Sequence, residues 1–475
     1  MTEVQGCLIQ LNAISSVFLH PLGMIDITSL ESHGLFDRNV PRYTSYPTAT
    51  HFSNSLRSDL MPEWLQKLNP DEPISLYLHV PFCRRVCWFC ACRTQGLGDD
   101  GRLERYLKAL QLEVELVARH LPDGIEVDRV HFGGGTPTLL TPDQLDLILS
   151  TMQTHFDLHH EREFSVEIDP NEIDEERLDV LIQHGLNRAS IGVQDFDPEI
   201  QKAIGREQSY EVTRDCVAML RSAGVKSLNA DILYGLPHQT EARLSQSIEQ
   251  LIGLNPDRVA LYGYAHVPWM AKRQVMIPDD ALPSTQQRFR LSELAKTLFR
   301  SHGYQSIGVD HFAKPDDGLA IAANTGHLRR NFQGYTDDVS PTLIGLGASS
   351  ISKFPFGYLQ NDPKTGGYYE RIEKNEFAVT RGHVFRMDDS LRARAVEMLL
   401  CDFKIDFDAL GSEFPDESIE TLVSLGRHAA EHFDGFVEMW DHVLSIATEG
   451  RPLTRIIAQW FDAYEVANTA HSSAI

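Results

Sequence analysis

The sequence has few cysteines, no long apolar run and a deficit of basic residues. Only 7 of its 475 residues are cysteine. This odd, low count argues against a disulfide framework and favours a reducing compartment. No apolar stretch reaches the roughly 18 to 20 residues needed to cross a bilayer, and the first 25 residues lack the features of a signal peptide. We therefore expect a cytoplasmic protein with no membrane span.

The charge balance limits the class of partner. There are 43 Lys and Arg residues against 67 Asp and Glu residues, so the formal net charge is -24. Because phosphate backbones bind basic surfaces, this balance argues against a nucleic acid partner. The length allows two or three globular domains, and we expect a monomer.

Four of the seven cysteines lie in one short stretch after an apolar run at 75–80. The run predicts a buried strand, which Pro81 ends by removing a backbone donor. Cys83, Cys87 and Cys90 follow with C-x3-C-x2-C spacing. Three thiolates at this spacing can bind three irons of a [4Fe-4S] cluster and leave the fourth iron open.

A structural zinc site is the alternative interpretation of this loop. Such a site usually takes two pairs of ligands from separated segments, and no second pair with zinc-ligand spacing occurs in the sequence. The other cysteines, Cys7, Cys216 and Cys401, are scattered. Cys216 and Cys401 lie in apolar, helix-like surroundings, which predicts buried and unreactive thiols.

From residue 75 onward, strand and helix patterns alternate, which predicts an α/β fold with a parallel sheet covered by helices. The predicted strands are 75–80, 125–132, 163–169, 188–194, 227–233 and 258–264. The predicted helices between them are 102–120, 141–156, 174–184, 209–223 and 240–254. Six such units predict an open (β/α)6 barrel whose site lies at the carboxyl ends of the strands.

Polar or glycine residues occur at or near four of these carboxyl ends. Gly133 to Gly135 follow the second strand, and three glycines in a row favour either a plain tight turn or backbone groups that contact a ligand. Glu167 and Gln194 end the next two strands. Asp231 lies inside the otherwise apolar fifth strand, where a carboxylate needs a partner or a ligand. Together these residues indicate a site at one mouth of the barrel.

The cysteine loop, with aromatic Phe89 before the last cysteine, resembles the signature of radical S-adenosylmethionine (SAM) enzymes. The stretch from Val40 to about Tyr464 is similar to the oxygen-independent coproporphyrinogen III oxidases, a radical SAM family. The motifs that carry this resemblance are 41–49, the loop through Cys92, 133–137, 192–196, 206–208, 234–237, 310–313 and 330–336. Two features depart from the family's pattern: Ala91 replaces the usual glycine, and the opening 38 residues are long.

The resemblance implies a fold, cofactors and site residues. It implies an N-terminal extension and arm at 1–60, a radical SAM barrel and following strand region at 61–370, and a mainly helical C-terminal domain at 371–475. It assigns one [4Fe-4S] cluster to Cys83, Cys87 and Cys90, and it implies two SAM molecules. The residues that it assigns to SAM are Tyr77, Phe89, Gly134, Gly135, Thr136, Glu167, Gln194, Arg206, Asp231, Ala265, Gln333 and Ile351. His79 and Cys92 correspond to further active-site positions.

The implied reaction is the oxidative decarboxylation of two propionates of coproporphyrinogen III, in the pathway to heme or chlorophyll. A 5'-deoxyadenosyl radical removes a hydrogen atom from the β-carbon of a propionate, and loss of CO2 and one electron leaves a vinyl group. Two such reactions give protoporphyrinogen IX. Arg42 and Arg330 are candidates to bind propionates, because guanidinium pairs with carboxylate.

An electron donor and one alternative function complete the expectations. Arg84 and Arg85 lie inside the cluster loop and could dock an acidic flavodoxin or ferredoxin.

The alternative function is a heme-binding chaperone of the related radical SAM family. The arm from Arg42 to Ala49, Cys92 and the block from Asn331 to Thr336 oppose it, since the chaperones are expected to lack the arm and Cys92.

Overall fold

The computed structural model describes residues 27–57, 59–98, 100–386, 388–464 and 474. Cys7 and the rest of 1–26 lie outside them. The core is one twelve-stranded sheet. Its six central strands are β1 (Ile74–Val80), β2 (Glu126–Gly134), β3 (Asp157–Ile168), β4 (Arg188–Gln194), β5 (Ser227–Tyr234) and β6 (Arg258–Gly263). They lie side by side in chain order and are all parallel. The predicted (β/α)6 order is therefore confirmed.

Shorter strands extend this sheet at both sides. They are β7 (Gln305–Ile307), β8 (His311–Ala313), β11 (Leu343–Leu346), β12 (Ile351–Phe354), β13 (Gly357–Asn361) and β14 (Val379–Val384), while β9 (Arg329–Asn331) and β10 (Gly334–Thr336) form a separate hairpin. The full order is β14-β13-β12-β11-β1-β2-β3-β4-β5-β6-β8-β7. Because the edge strands β14 and β7 do not pair with each other, the barrel is open, as predicted.

The helices cover the outer face of the sheet and build the C-terminal region. Up to residue 372 they are α1 (Ile27–Ser32), α2 (Leu60–Gln66), α3 (Asp100–Ala118), α4 (Pro142–His155), α5 (Glu175–Gln183), α6 (Pro198–Ala203), α7 (Tyr210–Ser222), α8 (Glu241–Gly253), α9 (Thr285–Ser301), α10 (Gly318–Thr325) and α11 (Thr365–Ile372). The start of α4 follows from local chemistry, because Thr141 and Gln144 form a complete capping box around Pro142. Within the described residues, no helix is long and apolar enough to cross a membrane.

The C-terminal region has its own apolar core. Its helices are α12 (Asp389–Asp402), α13 (Phe407–Glu413), α14 (Glu420–His432) and α15 (Thr454–Gln459), and its sheet consists of β15 (Lys404–Asp406), β16 (Val437–Trp440) and β17 (Val443–Ile446). Tyr43 and Tyr46 of the N-terminal arm are buried in this core, and the Tyr43 hydroxyl donates to Asp462 at 2.9 Å. The large sheet continues past residue 370 to Val384, and the division into three domains stays a prediction.

Candidate active site

The cysteine loop begins where β1 ends, and the chain returns to the same place after it. Phe82 and Cys83 pair in parallel with Gln95 and Gly96, so the two ends of the loop lie side by side. The backbone N–H of Trp88 donates to Ile204 at 2.9 Å and fixes the middle of the loop against the barrel. A buried strand and two anchor points therefore hold the loop at the mouth.

The three predicted cluster thiols are free and partly exposed. Each sulfur has a donor nearby: the Thr136 hydroxyl at Cys83, the Arg206 guanidinium at Cys87 (3.6 Å) and the Cys92 N–H at Cys90 (3.4 Å). Such donors stabilise thiolates, which are the form that binds iron. The loop is therefore suited to a cluster with three cysteine ligands.

The pKa values of the thiols differ with their surroundings. A hydrogen bond with the Cys92 thiol lowers the pKa of Cys90 to about 6. Burial raises the pKa of Cys83 to about 11. In the described part of the chain, no three His, Cys, Asp or Glu side chains are grouped so that they could hold a single metal ion.

The glycine turn after β2 packs too closely for any side chain. A Cβ atom on Gly135 would lie 2.4 Å from the Phe82 carbonyl oxygen, and one on Gly134, which has φ of 117°, would lie 2.6 Å from the His79 ring. The N–H of Gly134 donates to the Glu167 carboxylate at 2.9 Å, and those of Gly135 and Thr136 donate to the carbonyls of Val80 and Phe82. These three donors are not available to a ligand, so the turn could offer a ligand only carbonyl oxygens.

Polar side chains line the inside of the barrel in layers, because alternate residues of each strand point inward. The deepest layer is an ion-pair cluster in which Glu163 accepts from Arg188 at 2.8 Å and lies 3.3 Å from Arg129. Above it, His131 stacks on Tyr77 with ring centroids 5.7 Å apart and lies 3.3 Å from Glu167.

The pKa values of the two carboxyl groups near the mouth are shifted in opposite directions. Burial raises the pKa of Asp231 to about 7, and the charge of Glu167 acts in the same direction. Burial alone would raise the pKa of Glu167, but His131 and the Gly134 N–H outweigh it and lower that pKa below the usual value. Glu167 is therefore the more acidic of the two carboxyls, and Asp231 accepts from the Asn229 amide at 2.8 Å.

A cavity of about 710 Å³ occupies the barrel next to the cysteine loop, and we call it the inner cavity. The predicted site residues that line it are Tyr77, His79, Cys92, Gly134, Glu167, Asp231, Gln333 and Ile351. The Tyr77 hydroxyl and His79 Nδ1 are 2.9 Å apart, and His79 Nε2 lies 3.3 Å from the Arg93 carbonyl. Both ring nitrogens of His79 therefore have partners.

The other predicted site residues do not line the inner cavity. Arg206 donates to the Gly192 carbonyl at 2.8 Å and lies beside Cys87. The carbonyls of Phe89 and Ala265 both accept from the Gln274 side chain, at 2.8 and 3.0 Å. Thr136 is buried, and Gln194 has a left-handed backbone with φ of 68°.

Four arginines were predicted to bind propionates or a protein donor. Arg42, Arg84 and Arg85 have hydrogen-bond or ion-pair partners, whereas Nε and Nη1 of the buried Arg330 have no hydrogen-bond partner among the described residues. Arg42 donates to the Gly263 carbonyl, and Arg330 lies 3.7 Å from Asp310 and over the Tyr335 ring. Both line a separate cavity of about 70 Å³, outside the inner cavity. At the loop surface, Arg84 pairs with Glu172 at 3.0 Å and Arg85 donates to the Glu207 carbonyl.

The inward-facing polar residues below the mouth and the segment after β6 were not predicted from the sequence. Arg129 and His131, Glu163 and Ser165, and Arg188 and Ser190 occur two residues apart within their strands. This spacing is the signal that could have shown a polar barrel interior. The segment around Gln274, which contacts the cysteine loop, carried no such signal.

Comparisons with known proteins agree with this geometry. The profile of the radical SAM superfamily matches residues 77–251. The oxygen-independent coproporphyrinogen III oxidase of Paracoccus denitrificans is 54% identical over 94% of this chain and 99% of its own length. A protein of the same name from Cereibacter sphaeroides is 50% identical over 95% of this chain and all of its own length.

A solved structure is similar over nearly the whole chain. It is coproporphyrinogen III oxidase from Escherichia coli, described as a radical SAM enzyme, with 35% identity and a TM-score of 0.85 over 89% of this chain and 98% of that one. Members of the radical SAM superfamily carry a [4Fe-4S] cluster and SAM, which the cysteine loop fits. The chain therefore belongs to the family of oxygen-independent coproporphyrinogen III oxidases.

Proposed function

We propose that this protein oxidatively decarboxylates two propionates of coproporphyrinogen III to vinyl groups and so forms protoporphyrinogen IX. The observation that carries the proposal is the loop of three free thiols, each with a hydrogen-bond donor, at the mouth of a cavity of about 710 Å³. When bound, the cluster and SAM supply the 5'-deoxyadenosyl radical that abstracts hydrogen from the substrate. The barrel walls exclude water from this chemistry.

The chain's own residues hold and orient these groups. Cys83, Cys87 and Cys90 bind the cluster, and the charge of Arg206 beside Cys87 offsets part of its negative charge. Glu167 fixes the glycine turn through the Gly134 N–H. His79 connects Tyr77 to the carbonyl of Arg93 and so orients the end of the loop, where Cys92 faces the inner cavity.

A second SAM molecule in the inner cavity is part of the proposal. The volume of this cavity, about 710 Å³, lies within the range of about 300–1,000 Å³ that is common for ligand sites. The resemblance to the family places Tyr77, Thr136, Glu167, Ala265, Gln333 and Ile351 near the second SAM. Tyr77, Glu167, Gln333 and Ile351 line this cavity, whereas Thr136 and Ala265 lie outside it.

We further propose a monomer in the cytoplasm that takes electrons from a flavodoxin or ferredoxin. The low cysteine count and the free thiols support a reducing compartment. Arg84 is 55% exposed and Arg85 is also exposed at the loop surface, where they present positive charge on an otherwise acidic protein.

The test is anaerobic reconstitution with iron and sulfide, followed by a porphyrin assay with SAM, a reductant and coproporphyrinogen III. The proposal expects protoporphyrinogen IX and two CO2 per substrate. Incubation of the same protein with heme is the comparison. Stable stoichiometric heme binding without coproporphyrinogen turnover would favour the chaperone function instead.

A further inference from the structure

A second cavity, the outer cavity, lies on the other side of the end of the cysteine loop. Its volume is about 480 Å³, and its walls are residues 90–95 of the loop and the segment 267–273 that follows β6. Ala91, Cys92, Arg93 and Ser349 line both the outer and the inner cavity. The two cavities are therefore neighbours, and Cys92 lies at their boundary.

The charge of the outer cavity is opposite to that of the whole protein. Its described lining contains Arg93, Lys272 and Arg273 but no Asp or Glu, although acidic residues outnumber basic ones by 67 to 43 in the chain. The inner cavity, by contrast, is lined by several carboxylates, Glu163, Glu167 and Asp231 among them. A negatively charged ligand is favoured in the outer cavity.

Two of the three cations are available to such a ligand. Arg273 is engaged, because it donates to the Thr94 hydroxyl at 2.9 Å and to the Thr94 carbonyl at 2.6 Å. The side chains of Arg93 and Lys272 are exposed, and within the described residues neither makes a hydrogen bond or an ion pair. They are therefore free to bind carboxylates without losing an existing partner.

The walls of the outer cavity are held in place and are partly apolar. Gln274 is fully buried, and its side-chain amide N–H groups donate to the carbonyls of Phe89 and Ala265. Its side-chain oxygen, Oε1, accepts from the Val267 N–H at 2.6 Å. Val267, Met270, Ala271 and Pro363 make part of the lining apolar. Apolar side chains beside free cations fit a large ring that carries carboxylates at its edge.

We propose that the outer cavity binds the coproporphyrinogen macrocycle, with Arg93 and Lys272 holding propionates that are not at the reacting carbon. One propionate then reaches past Cys92 into the inner cavity. This inference rests on the proposed function, since it concerns the substrate of that same reaction. It assigns the substrate's carboxylates to Arg93 and Lys272 instead of Arg42 and Arg330.

The test measures binding of coproporphyrin III, the stable fluorescent form of the substrate, to the reconstituted protein with SAM. The variant is Arg93→Gln with Lys272→Gln, and the second ligand is the uncharged tetramethyl ester. Wild type should bind the acid at least tenfold more tightly than the ester. The double variant should lose at least tenfold in affinity for the acid and bind the ester nearly as before.

The matched control is Lys226→Gln with Arg290→Gln, which also removes two exposed positive charges. Lys226 directly precedes β5 and so lies at the opposite end of the barrel from the loop, and Arg290 lies on α9. This control should leave both affinities unchanged, and all variants should keep the iron-sulfur absorbance of wild type. Equal affinity of wild type and the Arg93/Lys272 variant for the acid would overturn the assignment.

Turnover measurements distinguish substrate binding by Arg93 and Lys272 from docking of the electron donor and from failure of the proposed function. With dithionite as reductant, the double variant should show a KM for coproporphyrinogen III raised at least tenfold and a kcat within about twofold of wild type. A loss of turnover only with a protein donor, with porphyrin affinity unchanged, would mean that the surface docks the donor and would overturn the inference. If wild type itself neither binds coproporphyrin III nor forms protoporphyrinogen IX, the proposed function fails as well.

Discussion

Cys92 differs from the three cysteines before it, although all four lie in one loop. Its N–H donates to the Cys90 sulfur, and Cys92 lines both the inner and the outer cavity. Serine at Cys83, Cys87 or Cys90 should abolish the iron-sulfur absorbance and SAM cleavage together, because a cluster without one thiolate is not held. Cys92→Ser keeps the N–H, so it should keep the absorbance but lose most vinyl formation.

Ultraviolet-visible spectra and a porphyrin assay on the four variants check this expectation. Cys92→Ser serves as the control for the other three, since it makes the same chemical change in the same loop. Loss of the cluster in Cys92→Ser, as complete as in Cys90→Ser, would show that the ligands are assigned wrongly. Full turnover of Cys92→Ser would reduce its role to packing.

Glu113 on α3 is a buried carboxyl that lines neither the inner nor the outer cavity. It accepts from the Gly347 N–H, the Asn361 amide and the Tyr368 hydroxyl, at 2.6 to 2.7 Å. Burial raises the pKa of Glu113 to about 7. The folded state therefore keeps a proton that the unfolded state loses near pH 4.5, and the stability from this group falls as pH rises between about 4.5 and 7.

Glu113→Gln removes this titration and should flatten the pH dependence. Thermal melts of wild type and variant should show a larger advantage of wild type at pH 5 than at pH 7.5. The exposed Glu431→Gln on α14 is the control, with no effect expected beyond about 0.5 kcal/mol. An advantage of wild type that does not change with pH would contradict the raised pKa.

At the scale of the strands, the polar layer inside the barrel is specified by β2, β3 and β4 together. Glu163→Gln leaves Arg188 without its ion-pair partner, and it should lower the free energy of unfolding by about 2 kcal/mol. Glu161→Gln on the same strand is the control, because that side chain is 80% exposed. Urea unfolding at pH 7 measures both, and an equal effect of the two changes would show that the ion-pair cluster adds no stability.

Strands and helices were predictable because each carries its own pattern. Alternating apolar runs located all six central strands to within a few residues, except β3, which begins at Asp157 and not at 163. The start of β3 was not predicted because residues 157–162 are mostly polar. This part of the strand is not buried, and only its first two residues pair with β2.

Only the part of the site whose residues lie in one short sequence motif was predictable. The C-x3-C-x2-C loop is such a motif. The outer cavity is not, because Arg93 and Lys272 are 179 residues apart in the chain and meet only through the fold. The resemblance to the family implied an N-terminal arm, but the burial of this arm against the C-terminal core depends on contacts such as that of Tyr43 with Asp462, which no local pattern shows.

At the scale of the whole molecule, a net charge of -24 makes any local positive surface important for an acidic partner. Arg84→Glu should slow turnover with flavodoxin or ferredoxin several-fold at low salt, and less at high salt, because docking is electrostatic. Turnover with dithionite is the control and should not change. Unchanged turnover with the protein donor at low salt would exclude docking at Arg84.

The most direct test of the central claim follows one hydrogen atom. Coproporphyrinogen III with deuterium at the β-carbons of its propionates is incubated anaerobically with the reconstituted protein, SAM and a reductant. We expect the wild-type protein to form protoporphyrinogen IX and 5'-deoxyadenosine that contains deuterium. We expect neither product from Cys87→Ser. Formation of vinyl groups without deuterium in 5'-deoxyadenosine, or by Cys87→Ser, would contradict this expectation.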